Sequence, residues 1–266
     1  MTQIMGSEKK GLIFEIRSSK IAGNTDEKKH VIYSLQIRYI SENDDLNPSI
    51  IERRYTHFLD LYTSLKNEHP NLMNNVEFPK KVILGNFDNE LISTRSTGFE
   101  SLLKYISTES RLRNSHALLA FLQNVELNQA KEFFKNKEAS LAYPILENSL
   151  KLLNKVYTDR SPAVILALNR LIACVELMSD FPEALKWADL AIHRYEGVSD
   201  SDLLELYIPL LQTCVKLWDQ NGRNPEEIKN RLTNLQKQGM KVDESTILMD
   251  AVDSIEKKIF NVSSTS

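Results

Sequence analysis

Residues 50–65, IIERRYTHFLDLYTSL, change their period in mid-stretch. Ile50 to Tyr55 (IIERRY) reads as a strand of β-branched and long side chains, whereas Phe58, Leu61, Tyr62 and Leu65 recur at intervals of three and four, the spacing of one helix face. That helix ends near His69-Pro70, because the residue before a proline is pushed out of the helical region. Upstream, Leu12 to Arg17 (LIFEIR) and Val31 to Ile40 (VIYSLQIRYI) are two further strand candidates. The segment SSKIAGNTDEKKH supplies the turn between them, and SENDDLNPS supplies a polar loop before Ile50. Three strands joined in this way form an antiparallel meander that hands over to helices.

Downstream, residues 70–85 (PNLMNNVEFPKKVILG) show neither helical nor strand period and carry two prolines, a basic pair and several apolar residues. A structureless loop of this length in a small domain points to function. Phe87, Leu91, Phe99, Leu102, Leu103 and Ile106 suit a helix that is irregular near Ser93 to Gly98, and residues 115–127 form another apolar stripe opened by a Ser115 cap. From there the chain reads as helix alone, over about 127–138, 140–157, 161–178, 181–195, 200–219, 225–238 and 244–260. Breaks fall at Thr158-Asp159-Arg160, Ser179-Asp180, Glu196-Gly197 and Asn221-Gly222, and Pro162, Pro182 and Pro225 stand at first-turn positions. Leu168, Leu171 and Val175 on one of these helices face Ala184, Ala188 and Ala191 on the next, a spacing of small residues that lets helices approach closely, as in a degenerate tetratricopeptide-type hairpin. The fold class is therefore α+β, with a sheet-containing first part and an all-α second part.

The 266 residues carry 33 Lys and Arg against 36 Asp and Glu, a formal charge of -3. Residues 1–126 hold 16 of each sign, leaving 17 basic and 20 acidic residues for the remainder, so neither part is a polybasic or polyacidic tail. Binding to a polyanion by bulk charge is excluded. Cys174 and Cys214 each sit among apolar residues, which argues against a disulfide scaffold or a thiolate zinc site and for a reducing, cytoplasmic setting. The sequence shows no span of about 18 apolar residues and no signal peptide at MTQIMGSEKKG, so membrane contact is expected to be peripheral.

No enzyme signature is found: there is no Gly-rich phosphate loop, no Gly-x-Ser-x-Gly and no His-Glu-x-x-His, and the five histidines are scattered. Neither a metal nor a cofactor is expected, and the chain reads as non-enzymatic. Asp44 and Asp45 read as a solvated turn. What stands out is basic: Arg53-Arg54-Tyr55 at the strand-to-helix junction, Lys80-Lys81 in the long loop, and Arg95 in the helical region beyond. Brought to one pocket, such residues suit a compact anion, with Arg giving bidentate hydrogen bonds to phosphate, Lys a point charge and Tyr an apolar face for a ring.

The stretches RRYTHFLDLYTSL, FPKKVILGNF, the Arg95 helix and SLLKYIS together resemble the phox-homology (PX) domain in order, spacing and residue type, over roughly Gly11 to Glu126. The Pro-x-x-Pro that the family's loop often holds is reduced here to Phe78-Pro79-Lys80-Lys81. The resemblance implies a phosphoinositide site in which Arg54 binds the 3-phosphate, Tyr55 stacks on the inositol ring, Lys81 reaches the 1-phosphate and Arg95 holds the 4- and 5-hydroxyls. That set favours phosphatidylinositol 3-phosphate. Beside it, Leu72 and Met73 are expected to insert into the lipid interface, with Val82, Ile83 and Leu84 packing the domain. A PX domain followed by a tetratricopeptide-like array is similar to the small sorting nexin group that includes sorting nexins 20 and 21. The implied layout is a flexible segment at 1–10, a PX domain at 11–126, a helical protein-interaction domain at 127–260 and a flexible tail at 261–266. The implied function is an adaptor, cytoplasmic and peripheral on the early endosome membrane, whose helical domain engages a cargo tail or sorting protein and which binds no nucleic acid. Arg170, Lys186 and Tyr207 are candidate surface residues for that contact. The alternative is a protein-interaction scaffold whose PX pocket binds lipid weakly or reads other phosphoinositides, such as the 4,5-bisphosphate.

Overall fold

The computed structural model describes residues 11–23, 28–40, 47–178, 183–196, 198, 201–240 and 247–261. The terminal segments 1–10 and 262–266, most of the loop containing Asp44 and Asp45, and the break with Pro182 lie outside the described residues. The chain divides into two compact units, Met1–Asn124 and Val125–Ser266.

The first unit begins with the expected meander: β1 (Leu12–Ala22), β2 (His30–Tyr39) and β3 (Ser49–Arg54) form one antiparallel sheet in the order β1-β2-β3. Residues 18–22, expected to belong to the turn, extend β1 instead. A bulge between Ile16 and Ser18 resets the register, and pairing then continues from Ser18 opposite Ser34 to Ala22 opposite His30. The ladder's hydrogen bonds override the weak β-propensity of Ser-Ser-Lys. Strand alternation puts Val31, Tyr33, Leu35 and Ile37 of β2 and Ile51 of β3 into the core. The same alternation carries Arg53 inward and turns Arg54 out.

Helix α1 (Tyr55–Glu68) buries Phe58, Leu61 and Leu65. A single turn, α2 (Pro70–Met73), follows where no period was expected; Pro70 sits at its start, where a missing N–H costs nothing, and Met73 plugs the core. Helix α3 (Asn89–Thr108) runs unbroken through the stretch expected to be irregular. Thr94, Ser96 and Thr97 each donate their hydroxyl to the carbonyl four residues back, so the helix absorbs its own polar groups. Phe99 of α3 stacks on Phe58 with centroids 3.8 Å apart, and Tyr33 meets both edge-on. After the turn α4 (Ser110–Arg113), α5 (His116–Lys135) opens on the Ser115 cap, whose hydroxyl accepts from the Leu118 N–H at 3.1 Å. The break expected at 127 is absent, because Leu127 and Ala130 prolong the same buried stripe. The helix closes at Lys137, whose φ of 61° is left-handed.

The second unit continues with α6 (Ala139–Val156), α7 (Pro162–Glu176), α8 (Ala184–Tyr195), α9 (Ser201–Leu204), α10 (Tyr207–Gln220), α11 (Glu226–Lys237) and α12 (Leu248–Asn261). Residues 200–219, read as one helix, are two: Pro209 cannot donate to the Glu205 carbonyl and its ring would clash there, which breaks the helix after α9. Helix α7 starts on a Ser161 cap with Pro162 next to it, and every residue from Ala163 to Val175 is buried against α6, α8, α10 and α12. Ala184, Ala188 and Ala191 are buried on α8, which packs on α7. Within this interior Asn169 donates to the Tyr195 hydroxyl at 3.1 Å, and that hydroxyl donates on to the Leu203 carbonyl at 3.2 Å. Arg170, expected at the surface, is buried. Tyr207 is half-buried and stacked on Tyr195, and Lys186 is exposed over Trp187. Among the described residues no helix is long and apolar enough to cross a membrane.

Candidate functional site

The end of β3 sets the first two residues of the site. Because the strand alternates up to its last position, Arg54 leaves the sheet exposed, while its neighbour Arg53 is fully buried. Arg53 donates from Nε to the Phe121 carbonyl at 2.7 Å and from Nη1 to the Glu52 carbonyl at 2.8 Å, with its guanidinium over the Phe121 ring. It pins β3 to α5 and is unavailable to a ligand. Arg54 has no ion-pair partner among the described residues; its backbone N–H meets His57 Nδ1 at 3.3 Å as α1 begins. Tyr55 opens α1 and donates its hydroxyl to the Pro79 carbonyl at 2.7 Å, tying the helix to the long loop. Burial raises the pKa of its phenol, partly opposed by the nearby Arg95 charge.

Arg95 lies one turn before Phe99 on α3 and is only 2% exposed. Its guanidinium sits 4.2 Å from the Tyr55 ring centroid. Nη2 donates to Asn86 Oδ1 at 3.1 Å and lies 3.5 Å from the Lys80 carbonyl, and Nε is buried with no partner. No carboxylate pairs with Arg95 among the described residues, so a buried cation is held by neutral dipoles and a ring and keeps a donor to spare. Such a group is costly unless something else satisfies it.

The loop from Phe78 to Asp88 completes the site. Pro79 lies against Gly98 of α3 so closely that a Cβ there would fall 2.5 Å from the proline Cγ; only glycine admits this approach, which brings the Lys80 carbonyl to Arg95. Asn86 Nδ2 also donates to the Val82 carbonyl at 3.1 Å, and Gly85, with φ at 74°, closes the loop with Asp88 N–H on its carbonyl at 3.0 Å. Asn86 therefore braces both the loop and Arg95, a role that no sequence period announces. Lys80 and Lys81 are exposed at the base of the loop. Of the four residues expected at the site, Tyr55 and Arg95 are in direct contact; Arg54 precedes Tyr55 in the chain, and Lys81 follows Lys80, whose carbonyl lies 3.5 Å from Arg95 Nη2.

Of the two expected insertion residues, Met73 is corrected. Met73 is fully buried, since α2 turns it into the core, and Leu72 is half-buried with its carbonyl taken by the Tyr105 hydroxyl at 2.9 Å. Ile83 and Leu84, expected to pack the domain, are 95% and 85% exposed at the tip of the loop. The tip stands out because the hydrogen bonds of Asn86 and Gly85 close the loop beneath it.

Residues 41–125 match the PX domain family, a span that contains Arg54, Tyr55, Lys81 and Arg95. The chain is 28% identical to human sorting nexin-21 over 231 residues, which cover 86% of this chain and 60% of that protein. It is 26% identical to bovine sorting nexin-20 over 233 residues, 85% of this chain and 70% of that one. A vacuolar protein sorting-associated protein, vps5 of Schizosaccharomyces pombe, is 33% identical over 97 residues, 36% of this chain and 17% of its own. Among solved structures, a designed CISK-PX domain aligns with a TM-score of 0.34 at 25% identity, covering 41% of this chain and 97% of that one. A PX-type sheet with helices, followed by many helices, is the fold class of this protein.

Proposed function

We propose that this chain is a non-enzymatic adaptor that binds phosphatidylinositol 3-phosphate in the pocket of Arg54, Tyr55, Lys81 and Arg95 and is thereby recruited to the early endosomal membrane. The observation that carries the reading is Arg95: a buried guanidinium under the Tyr55 ring, with an unpaired Nε and no carboxylate partner among the described residues, in a unit where Arg54 and Lys81 are exposed. In this reading Arg54 takes the 3-phosphate, Tyr55 the face of the inositol ring and Lys81 the 1-phosphate. Arg95, with Nη2 already engaged by Asn86, has donors left for ring hydroxyls rather than for another phosphate. Charge-assisted hydrogen bonds of about 1.5–3 kcal/mol each, set against desolvation and ordering, give reversible binding. Ile83 and Leu84, flanked by Lys80 and Lys81, enter the interface beside the headgroup. The helical second unit engages a cargo tail or another sorting protein, in keeping with the names of the relatives.

The test is pelleting with liposomes across all phosphoinositides, wild type against Arg54→Ala, with circular dichroism to confirm that the variant folds. The reading requires selective pelleting with the 3-phosphate and its loss in the variant. Equal pelleting of the two proteins defeats it, and a preference for bisphosphates, or none at all, favours the scaffold reading instead.

A further inference from the structure

The second unit contains a groove of about 380 Å³ between the C-terminal half of α5, α7 and α12, within the size range of ligand sites. Leu127, Ala130, Phe134 and Met249 form its apolar walls. Its polar part holds both paired and unpaired charges. Arg170, 2% exposed, donates from Nη2 to Glu256 Oε2 at 2.9 Å and lies 3.7 Å from Asp253 Oδ1, yet its Nε is buried without a partner. Asp253 Oδ1 is likewise buried without a hydrogen bond. At the rim, Lys131 is exposed with no ion-pair partner among the described residues, and Lys135 meets only Glu132, in a pair about two-thirds exposed on both sides.

We propose that this groove takes an extended peptide segment carrying one aliphatic or aromatic anchor and an adjacent Asp or Glu; the proposal rests on reading the helical unit as the partner-engaging part of the chain. The anchor fills the apolar walls. The carboxylate answers Lys131 at the rim, and a backbone carbonyl and N–H of the same segment answer Arg170 Nε and Asp253 Oδ1. A lipid acyl chain would cover the walls but bring no donor for Asp253 Oδ1 and no acceptor for Arg170 Nε. At the rim Lys131 is unpaired among the described residues and Lys135 meets only an exposed Glu132, so the rim favours an acidic partner over a basic one.

The full chain, labelled with methyl-13C methionine, is titrated with capped nine-residue peptides of one leucine or phenylalanine among glutamates, with the same peptides carrying glutamine or lysine in place of glutamate, and with phosphatidylcholine–phosphatidylserine vesicles. Met249 lines the groove and Met73 is buried in the other unit, so the glutamate peptides are expected to move the Met249 resonance and leave that of Met73 in place. The double variant Lys131→Glu, Lys135→Glu is expected to weaken that binding by about tenfold, added salt to weaken it further, and neither substitution to alter liposome pelleting. No Met249 shift with any peptide, equal binding of glutamine peptides, an unaffected double variant, or a shift with vesicles alone would each overturn the proposal. Because pelleting reports the lipid pocket and Met249 reports the groove, failure of one reading is distinguishable from failure of the other.

Discussion

Replacing Ile83 and Leu84 together by serine isolates the contribution of the loop tip to membrane binding. Both side chains are almost wholly exposed, at 95% and 85%, and so contribute little to the packed core. Complete transfer of an isoleucine or leucine side chain out of water is worth about 1.5–3 kcal/mol. A shallow interfacial position realises about half of this, so the pair contributes about 2 kcal/mol, equivalent to roughly 30-fold in partition. The assay is surface plasmon resonance on bilayers with and without phosphatidylinositol 3-phosphate, paired with binding of a soluble, short-chain version of the headgroup and with urea unfolding. Bilayer affinity is expected to fall by roughly 30-fold while soluble headgroup affinity and the unfolding midpoint stay at their wild-type values. Unchanged bilayer affinity refutes insertion of the tip. A drop in soluble headgroup affinity instead shows that the tip shapes the pocket.

The adjacent arginines should part company: Arg53→Ala removes two carbonyl partners and leaves a cavity, costing about 3 kcal/mol in urea unfolding, while Arg54→Ala leaves stability unchanged and abolishes lipid pelleting. Equal destabilisation by the two would contradict their opposite placement. Gly98→Ala gains about 1 kcal/mol of helix propensity yet forces Pro79 away from α3, so lipid binding should fall by about tenfold with stability near wild type; unchanged binding would show that the loop's approach to α3 is dispensable. Burial pushes both thiols, Cys174 and Cys214, from 9.0 up to about 12, so neither should react with iodoacetamide at pH 8 until the protein unfolds. Since the unfolded thiols ionise first, their linkage lowers stability as pH rises from 9 towards 12, which unfolding measured across that range checks.

Much of the site could be read from residue types, yet its assignments rested on neighbours distant in sequence. The distinction between Arg53 and Arg54 was available in the chain: Ile51 faces the core, and a period of two places Arg53 beside it. The bracing role of Asn86 carries no such signal, since it depends on a loop carbonyl at Val82 and a helix residue at Arg95. The loop tip was misassigned for the same reason. Leu72, Met73, Ile83 and Leu84 are chemically alike, and only the turn of α2 and the closure of the loop by Asn86 and Gly85 decide that Met73 is inside and Ile83 outside. Helix limits failed where the cause was local but weighed too lightly, as at Pro209, or where a buried stripe continued across an assumed break, as at Leu127 and Ala130.

The sequence by itself determined the order of elements, the period change at residues 50–65 and the set of basic residues proposed for the site, because periodicity and residue chemistry are properties of near neighbours. Only the tertiary structure decided which cation is buried with no carboxylate partner among the described residues, which glycine admits the loop, and which apolar side chains are left exposed. Burial depends on what distant segments bring to the same place, and no stretch of chain specifies that alone.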